Sequence, residues 1–364
     1  MKQDKTITSK RIKRRIITIL IIMIAFFIMN MIAARIVFHF IFTRYEYAEN
    51  NIDRIYSAED ASLYPREDVT FCSGKSKLTG RLYRTDSPKG ILILAHGMHS
   101  YADRYLDVTE FFVDHGWDVL AFNMTGTYSS EGRDTVGLAQ MKLDVIAAIH
   151  YVQGNSELCE LPIVLYGHSM GGYAVATAIE QETDIAGVVC LSAFNRPTDI
   201  MRSQAKQYVG ILADISYPFM WLQNTILFGS NANRSAAEVL KHTDIPVLVI
   251  YGTGDEVIPE KYALYSHKDE IDNPCVSFLL VEQDYRNEHS TLWLTSECAR
   301  YTLAVHEEMD TLDDKYHRDI PDDVFSEFMS GVDMSRLNVL DPTFMNMLDQ
   351  FLTEAVKVYR ASAL

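Results

Sequence analysis

Leu161 to Glu180, LPIVLYGHSMGGYAVATAIE, reads as a buried strand, a sharp turn and a helix. The run Ile163–Tyr166 is β-branched and aliphatic, and the residues from Met170 onward suit a helix that folds back on the sheet. Between them Gly167-His168-Ser169-Met170-Gly171 forms a G-x-S-x-G pattern with the serine at the apex of the turn. Such an elbow holds its serine in a strained backbone conformation worth roughly 1–3 kcal/mol. A Cβ two residues before or after that serine collides as strand and helix approach, and Gly167 and Gly171 remove those collisions. The pattern by itself is short enough to arise by chance. Its flanking strand and helix give it weight.

A serine hydroxyl is a weak nucleophile at neutral pH, so Ser169 needs a base within hydrogen-bond reach and a carboxylate to orient that base. Functional sites of open α/β sheets collect at the carboxyl ends of the strands. The segment IPVLVIYG ends in Thr253-Gly254-Asp255, and CVSFLLVE leads through Gln283-Asp284-Tyr285-Arg286-Asn287-Glu288 to His289. Asp255 is the expected acid, with Glu256 and Asp284 as alternatives, and His289 is the expected base. The bland readings are a capping aspartate and a surface histidine at a helix start. Acyl transfer also needs amide donors for the oxyanion: the residue after the nucleophile, Met170, and Met98, on the loop His96-Gly97-Met98-His99-Ser100 that follows GILILA. His96 is expected to brace this loop, and His168 to point away from the nucleophile.

Outward from the elbow, eight strand candidates recur: DVTFCS, KLTGRLYRT, GILILAHG, WDVLAFN, PIVLYGH, IAGVVCLSA, PVLVIYG and CVSFLLVE. The first two read as an antiparallel hairpin. From the third on they alternate with helix-period segments, which predicts a mostly parallel sheet with helices on both faces. About fifty residues separate Ala193 from Pro246, too many for an ordinary connection, and they predict a helical cap over the active site. Its residues Tyr217, Phe219, Met220, Trp221, Leu222, Ile226, Leu227 and Phe228 either line an acyl pocket or bury the cap against the body. Near the end, Asp341-Pro342 is an N-cap and first-turn pair. Behind it Phe344, Met347, Leu348, Phe351, Leu352 and Val356 repeat at helical spacing, as a packed helix or as a dimer or membrane contact.

The N-terminus carries a separate message. Ile16 to Ala34 contains only Thr18 and Asn30 as polar interruptions, and as a helix these residues span about 28 Å, close to the hydrocarbon thickness of a bilayer. No A-x-A-like cleavage site follows, so an uncleaved anchor is expected rather than a signal peptide. Seven of the chain's 33 basic residues and one of its 49 acidic residues lie within 1–34, so the remainder carries a formal charge of −22. The basic cluster before the apolar run places the N-terminus in the cytosol and the body outside. So acidic a body excludes nucleic acid as a partner. The five cysteines show no C-x-x-C or metal spacing, and Cys190 suits a buried apolar site.

The run ILILAHGMHSYADRYLDVTEFFVDHGWDVLAFNMTGTYSSEG, with DVIAAIHYV and VLYGHSMGGYA, resembles the α/β-hydrolase superfamily, in its monoacylglycerol lipase, lysophospholipase and serine aminopeptidase-like branch. The resemblance covers roughly residues 67–310. It implies a serine hydrolase of carboxylic esters with a helical cap, no cofactor and no metal, and its nucleophile, acid, histidine order falls on Ser169, Asp255 and His289. One segment departs: where the branch carries Asp-x-Arg-Gly-x-Gly, this chain has Asn123-Met124-Thr125-Gly126-Thr127-Tyr128. The expected organisation is a basic tail (1–15), an anchor (16–34), a linker (35–66), the α/β core (67–195 and 244–315), the cap (196–243) and a helical extension (316–364). The expected function is a membrane-anchored hydrolase of a small ester or lipid. A peptidase is the alternative within the class, with Asp199, Asp214 or Glu238 of the cap holding a substrate amine. Outside the class, the alternative is a non-catalytic binding protein.

Overall fold

The computed structural model describes residues 2–46, 64–317 and 319–362. Eight strands form one sheet: β1 (Arg66–Ser73), β2 (Ser76–Tyr83), β3 (Ile91–Ala95), β4 (Asp118–Asn123), β5 (Ile163–His168), β6 (Gly187–Leu191), β7 (Val247–Gly252) and β8 (Val276–Val281). Their spatial order is β1-β2-β4-β3-β5-β6-β7-β8. β1 and β2 form the expected antiparallel hairpin, β2 pairs antiparallel with β4, and all later pairings are parallel. The alternation along each central strand feeds two cores. Ile91, Ile93 and Leu165 belong to one, and Leu92, Leu94, Val164 and Tyr166 to the other.

The helices that matter here are α1 (Lys2–Ile41), α2 (Leu106–Asp114), α3 (Gln140–Gly154), α4 (Met170–Ala178), α5 (Pro197–Val209), α6 (Leu212–Phe228), α7 (Ala236–Leu240), α8 (Ser296–Tyr316), α9 (Asp322–Gly331) and α10 (Pro342–Ser362). Helices α3 and α4 pack on one face of the sheet, α2 and α10 on the other. Asp341 caps α10, its Oδ1 accepting the Phe344 amide at 2.8 Å. The apolar stripe of that helix, with Phe344, Leu348, Leu352 and Val356, is buried in the sheet's second core.

Helix α1 runs past the expected end of the apolar stretch. Arg11–His39 is long and apolar enough to be a candidate membrane span, and the helix continues to Ile41, inside the segment expected to begin a linker. Ala34, Phe38 and Phe42 are buried against the body. The remainder of the expected linker, residues 47–63, lies outside the described residues.

The residues between β6 and β7 are helical, yet they lean elsewhere than expected. Phe219 of α6 packs on Phe26 and Phe27 of α1, with ring centroids 6.0 and 5.7 Å apart, and Phe228 reaches Gly137 beside Phe38. The apolar face of α6 thus meets α1, while Ile211, Ile215, Trp221 and Ile226 are exposed. Of the two readings of these apolar residues, the ring contacts of Phe219 favour burial, and none of the eight borders the cavity beside Ser169.

Candidate active site

The topology sets the site. β3 lies between β4 and β5, so the chain leaves β3 and β5 in opposite directions and opens a crevice at their carboxyl ends. Ser169 stands there with φ 56° and ψ −117°, a backbone conformation disfavoured for any residue with a side chain. The close approach of α4 explains why the elbow needs glycine two residues before and two residues after the serine. A Cβ at Gly171 would overlap the carbonyl oxygen of Ala95 at the end of β3, and one at Gly167 would overlap that of Gly171.

Asp255, at the end of β7, is 5% exposed. Its Oδ2 accepts from His289 Nδ1 at 2.8 Å, while its Oδ1 accepts the amides of Val257 and Ile258 at 3.0 and 2.8 Å. The carboxylate is therefore held from three directions, and the bond at Nδ1 leaves His289 Nε2 as the nitrogen free to exchange a proton. Glu256 and Asp284 are both exposed and make no such bond. Ser169 and His289 border the same cavity, of about 690 Å³.

Behind them lies a buried hydrogen-bonded chain. The Gly97 amide donates to the Tyr105 hydroxyl at 3.1 Å, which donates to His168 Nδ1 at 2.7 Å, and His168 Nε2–H donates to the carbonyl of His289 at 2.8 Å. The loop after β3, the elbow and the loop that carries His289 are thus joined through one imidazole. Burial holds His168 well below the usual histidine range, with the neighbouring His289 second. Because the Gly97 amide is engaged by Tyr105, the next amide along the loop is that of Met98. Met170 opens α4, where N–H groups lack partners inside the helix. His96 is fully buried; its Nε2 accepts the Met124 amide at 3.1 Å and its Nδ1–H donates to the Gly97 carbonyl at 2.7 Å. Burial lowers it to about 4, so it is a neutral brace.

The cavity walls come from the 97–100 loop, the turn at Arg104 and Asp107, the histidine loop and α8. No residue of 196–243 is on its wall, although Gln204 Nε2 of α5 donates to the carbonyl of Val257, which is, at 2.9 Å. The cap carboxylates are engaged elsewhere: Asp214 with Arg202 and Lys206, Glu238 with Lys241, and Asp199 with the Tyr217 hydroxyl. Instead His306, Glu307, Asp310 and Asp314 of α8 face the cavity. Sequence reading missed them. The signal was the i, i+4 spacing of His306, Asp310 and Asp314, with Glu307 beside the first, on a helix that starts seven residues after His289.

A family model described as serine aminopeptidase, S33, matches residues 86–230. Human monoglyceride lipase is 30% identical over 110 residues, 30% of this chain and 36% of that protein. An uncharacterised Escherichia coli protein is 28% identical over 185 residues, 50% of this chain and 58% of that one. The chain therefore spans less than two thirds of the length of these relatives. Among solved structures, a Pyrococcus furiosus esterase superposes with a TM-score of 0.51 at 20% identity, covering 72% of this chain and 95% of that one. A Vibrio vulnificus α/β hydrolase gives 0.50 at 17% identity, over 74% and 88% of the two chains. At these identities the structures speak for the fold alone.

Proposed function

We propose that this chain, an α/β hydrolase similar to the monoglyceride lipase-like branch, is a serine hydrolase cleaving carboxylic esters through Ser169, His289 and Asp255. The observation that carries this reading is the 2.8 Å bond from His289 Nδ1 to a buried Asp255, in a cavity that Ser169 shares. Ser169 Oγ attacks the ester carbonyl and His289 Nε2 takes its proton. Asp255 fixes the Nδ1–H tautomer and stabilises the imidazolium. The Met98 and Met170 amides receive the oxyanion. His289 then returns the proton to the departing alcohol, and water activated by the same imidazole clears the acyl-enzyme.

A second reading within the class is a peptidase, favoured by the family description and by the carboxylates of Glu288, Glu307, Asp310 and Asp314 on the cavity wall, which suit a substrate amine. A panel of p-nitrophenyl esters of increasing chain length, run beside aminoacyl-anilides with Ser169→Ala as control, separates the two. Ester turnover that vanishes in Ser169→Ala supports the first reading, and turnover of anilides alone supports the second. Folded protein whose Ser169 is not modified by a fluorophosphonate is a binding protein rather than an enzyme.

Helix α1 acts in this proposal as an uncleaved anchor, with the basic tail cytosolic and the α/β core on the outer face, while α6, whose Phe219 lies on Phe26 and Phe27 of α1, follows the anchor into the bilayer. Cys72 and Cys159 are exposed thiols. A membrane-impermeant maleimide added to intact cells labels them if this orientation holds, and labels them only after lysis if it does not.

A further inference from the structure

The residues that follow α1 are stitched to the active-site scaffold. The Phe42 carbonyl accepts the Thr135 amide at 2.8 Å and its hydroxyl at 3.2 Å. Thr43 bridges to Asp134. The Tyr45 amide donates to Gly126 O, and Tyr45 O accepts the Tyr128 amide, both at 2.9 Å. Between these backbone pairings the Arg44 guanidinium donates to three carbonyls of one loop: Ser130 at 2.8 Å, Gly132 at 3.0 Å, and Tyr128. This is the loop that departs from the branch pattern. Asn123 and Thr125 stand where that pattern has its Asp and Arg, and Tyr128 sits at φ 48° where it has a glycine. A cation from outside the loop now gathers its carbonyls.

The loop in turn supports the segment that carries Gly97 and Met98. The Met124 amide donates to His96, Asn123 Oδ1 accepts the Ala102 amide at 2.9 Å, and the Tyr128 ring lies 5.8 Å from that of Tyr101. Tyr45 also touches this segment directly. Its ring lies 5.7 Å from that of His99, a cavity-lining residue at φ 53°.

We propose that Arg44 and Tyr45, immediately beyond the N-terminal helix, are positioning residues that hold the 97–99 segment in its oxyanion-binding geometry. The proposal rests on the reading of that segment as an oxyanion donor. It makes the exit of the anchor a working part of the site rather than a tether.

The test uses the full-length chain with Arg44→Ala, Arg44→Lys, Tyr45→Ala and Tyr45→Phe. Three readouts are compared with wild type: kcat and KM on an accepted p-nitrophenyl ester, affinity for a trifluoromethyl ketone whose adduct carries the oxyanion, and hydrogen exchange at amides 97–102. In both alanine variants kcat falls roughly 10- to 100-fold, as displacement of an oxyanion donor by a fraction of an ångström requires. KM stays within about twofold, ketone affinity falls with kcat/KM, and the 97–102 amides exchange faster. Arg44→Lys stays impaired because one ammonium does not span three carbonyls. Tyr45→Phe keeps the ring and the backbone bonds and stays within about threefold of wild type. Unchanged kcat in both alanine variants, or a rise in KM alone, overturns the proposal. If wild-type protein neither turns over esters nor labels at Ser169, the hydrolase reading fails by itself, and unchanged exchange at 97–102 in Arg44→Ala then overturns the positioning role independently.

Discussion

Around Ser169 three buried side chains meet defined partners: Asp255 accepts from three donors, His168 joins Tyr105 to the His289 carbonyl, and His96 bridges Met124 and Gly97. Where α6 lies along α1 the contacts are ring on ring, and much of α6 faces outward. A hydrogen-bonded site fails when one atom is removed, because the orphaned partner remains buried. An apolar contact weakens in proportion to the area lost. The first region is built for one geometry, and the second tolerates sliding and repacking.

The contrast is most severely tested at Asp255. Asp255→Asn leaves the shape intact but supplies the wrong partner for Nδ1–H, and ester turnover should fall about 10⁴-fold. A loss under tenfold in kcat would show that His289 does not depend on this carboxylate. Next in size is Gly171→Ala, whose Cβ has no room beside Ala95 O. It should cost more than about 3 kcal/mol and yield little folded protein, which urea unfolding measures.

Acid is the third probe. His96, depressed to about 4 from 6.5, and His168, lower than usual through burial, are neutral in the native state. Below about pH 6.5 the unfolded chain binds protons that the native state refuses, so their contribution to stability is full above that pH and is lost toward pH 4. For His96 alone the loss approaches about 3 kcal/mol. Asp107 has the opposite sign: burial raises it to about 7, so its contribution is present in acid and is lost as pH rises through 7. Between pH 7.5 and 5 the Tm should fall, and it should fall more steeply in Asp107→Asn. A Tm flat with pH in the variant contradicts the histidine assignment, and equal slopes in variant and wild type contradict that of Asp107.

Smaller still, Tyr105→Phe leaves His168 Nδ1 unpartnered and should cost about 1–3 kcal/mol with a loss of kcat. At the other region, Phe219→Ala should cost about 1 kcal/mol and leave turnover of a short soluble ester within about twofold. A large catalytic loss there would erase the distinction between the two regions.

The strands and the elbow were legible because their information is local: a period of two that fills two cores, and two glycines forced by one steric crossing. The acid was read as Asp255 from its place just after a buried strand, with Glu256 and Asp284 behind it, since nearby carboxylates are told apart only when the loop aims one of them at His289. The cap illustrates a different limit. Its apolar residues announce that they are covered, yet nothing in their spacing says by what, and the partner was a helix some 190 residues upstream. Arg44 was invisible for the same reason, as its acceptors are backbone carbonyls that carry no residue identity.

Helix α10 closes the second face of the sheet, where Asp349 accepts from Trp117 Nε1 at 2.7 Å and pairs with Lys89 at 2.9 Å across 260 residues of chain. Synthesis is vectorial, so β6, where Gly187 lies against Leu352 and Ala355 of α10, emerges long before the helix that covers it. Until α10 arrives, Val189 and Leu191 of that strand present a sticky, incompletely covered surface. A ribosome that stops short of residue 342 releases a chain with its elbow sequence complete and its fold unfinished, the kind of product that chaperones retain and proteases clear.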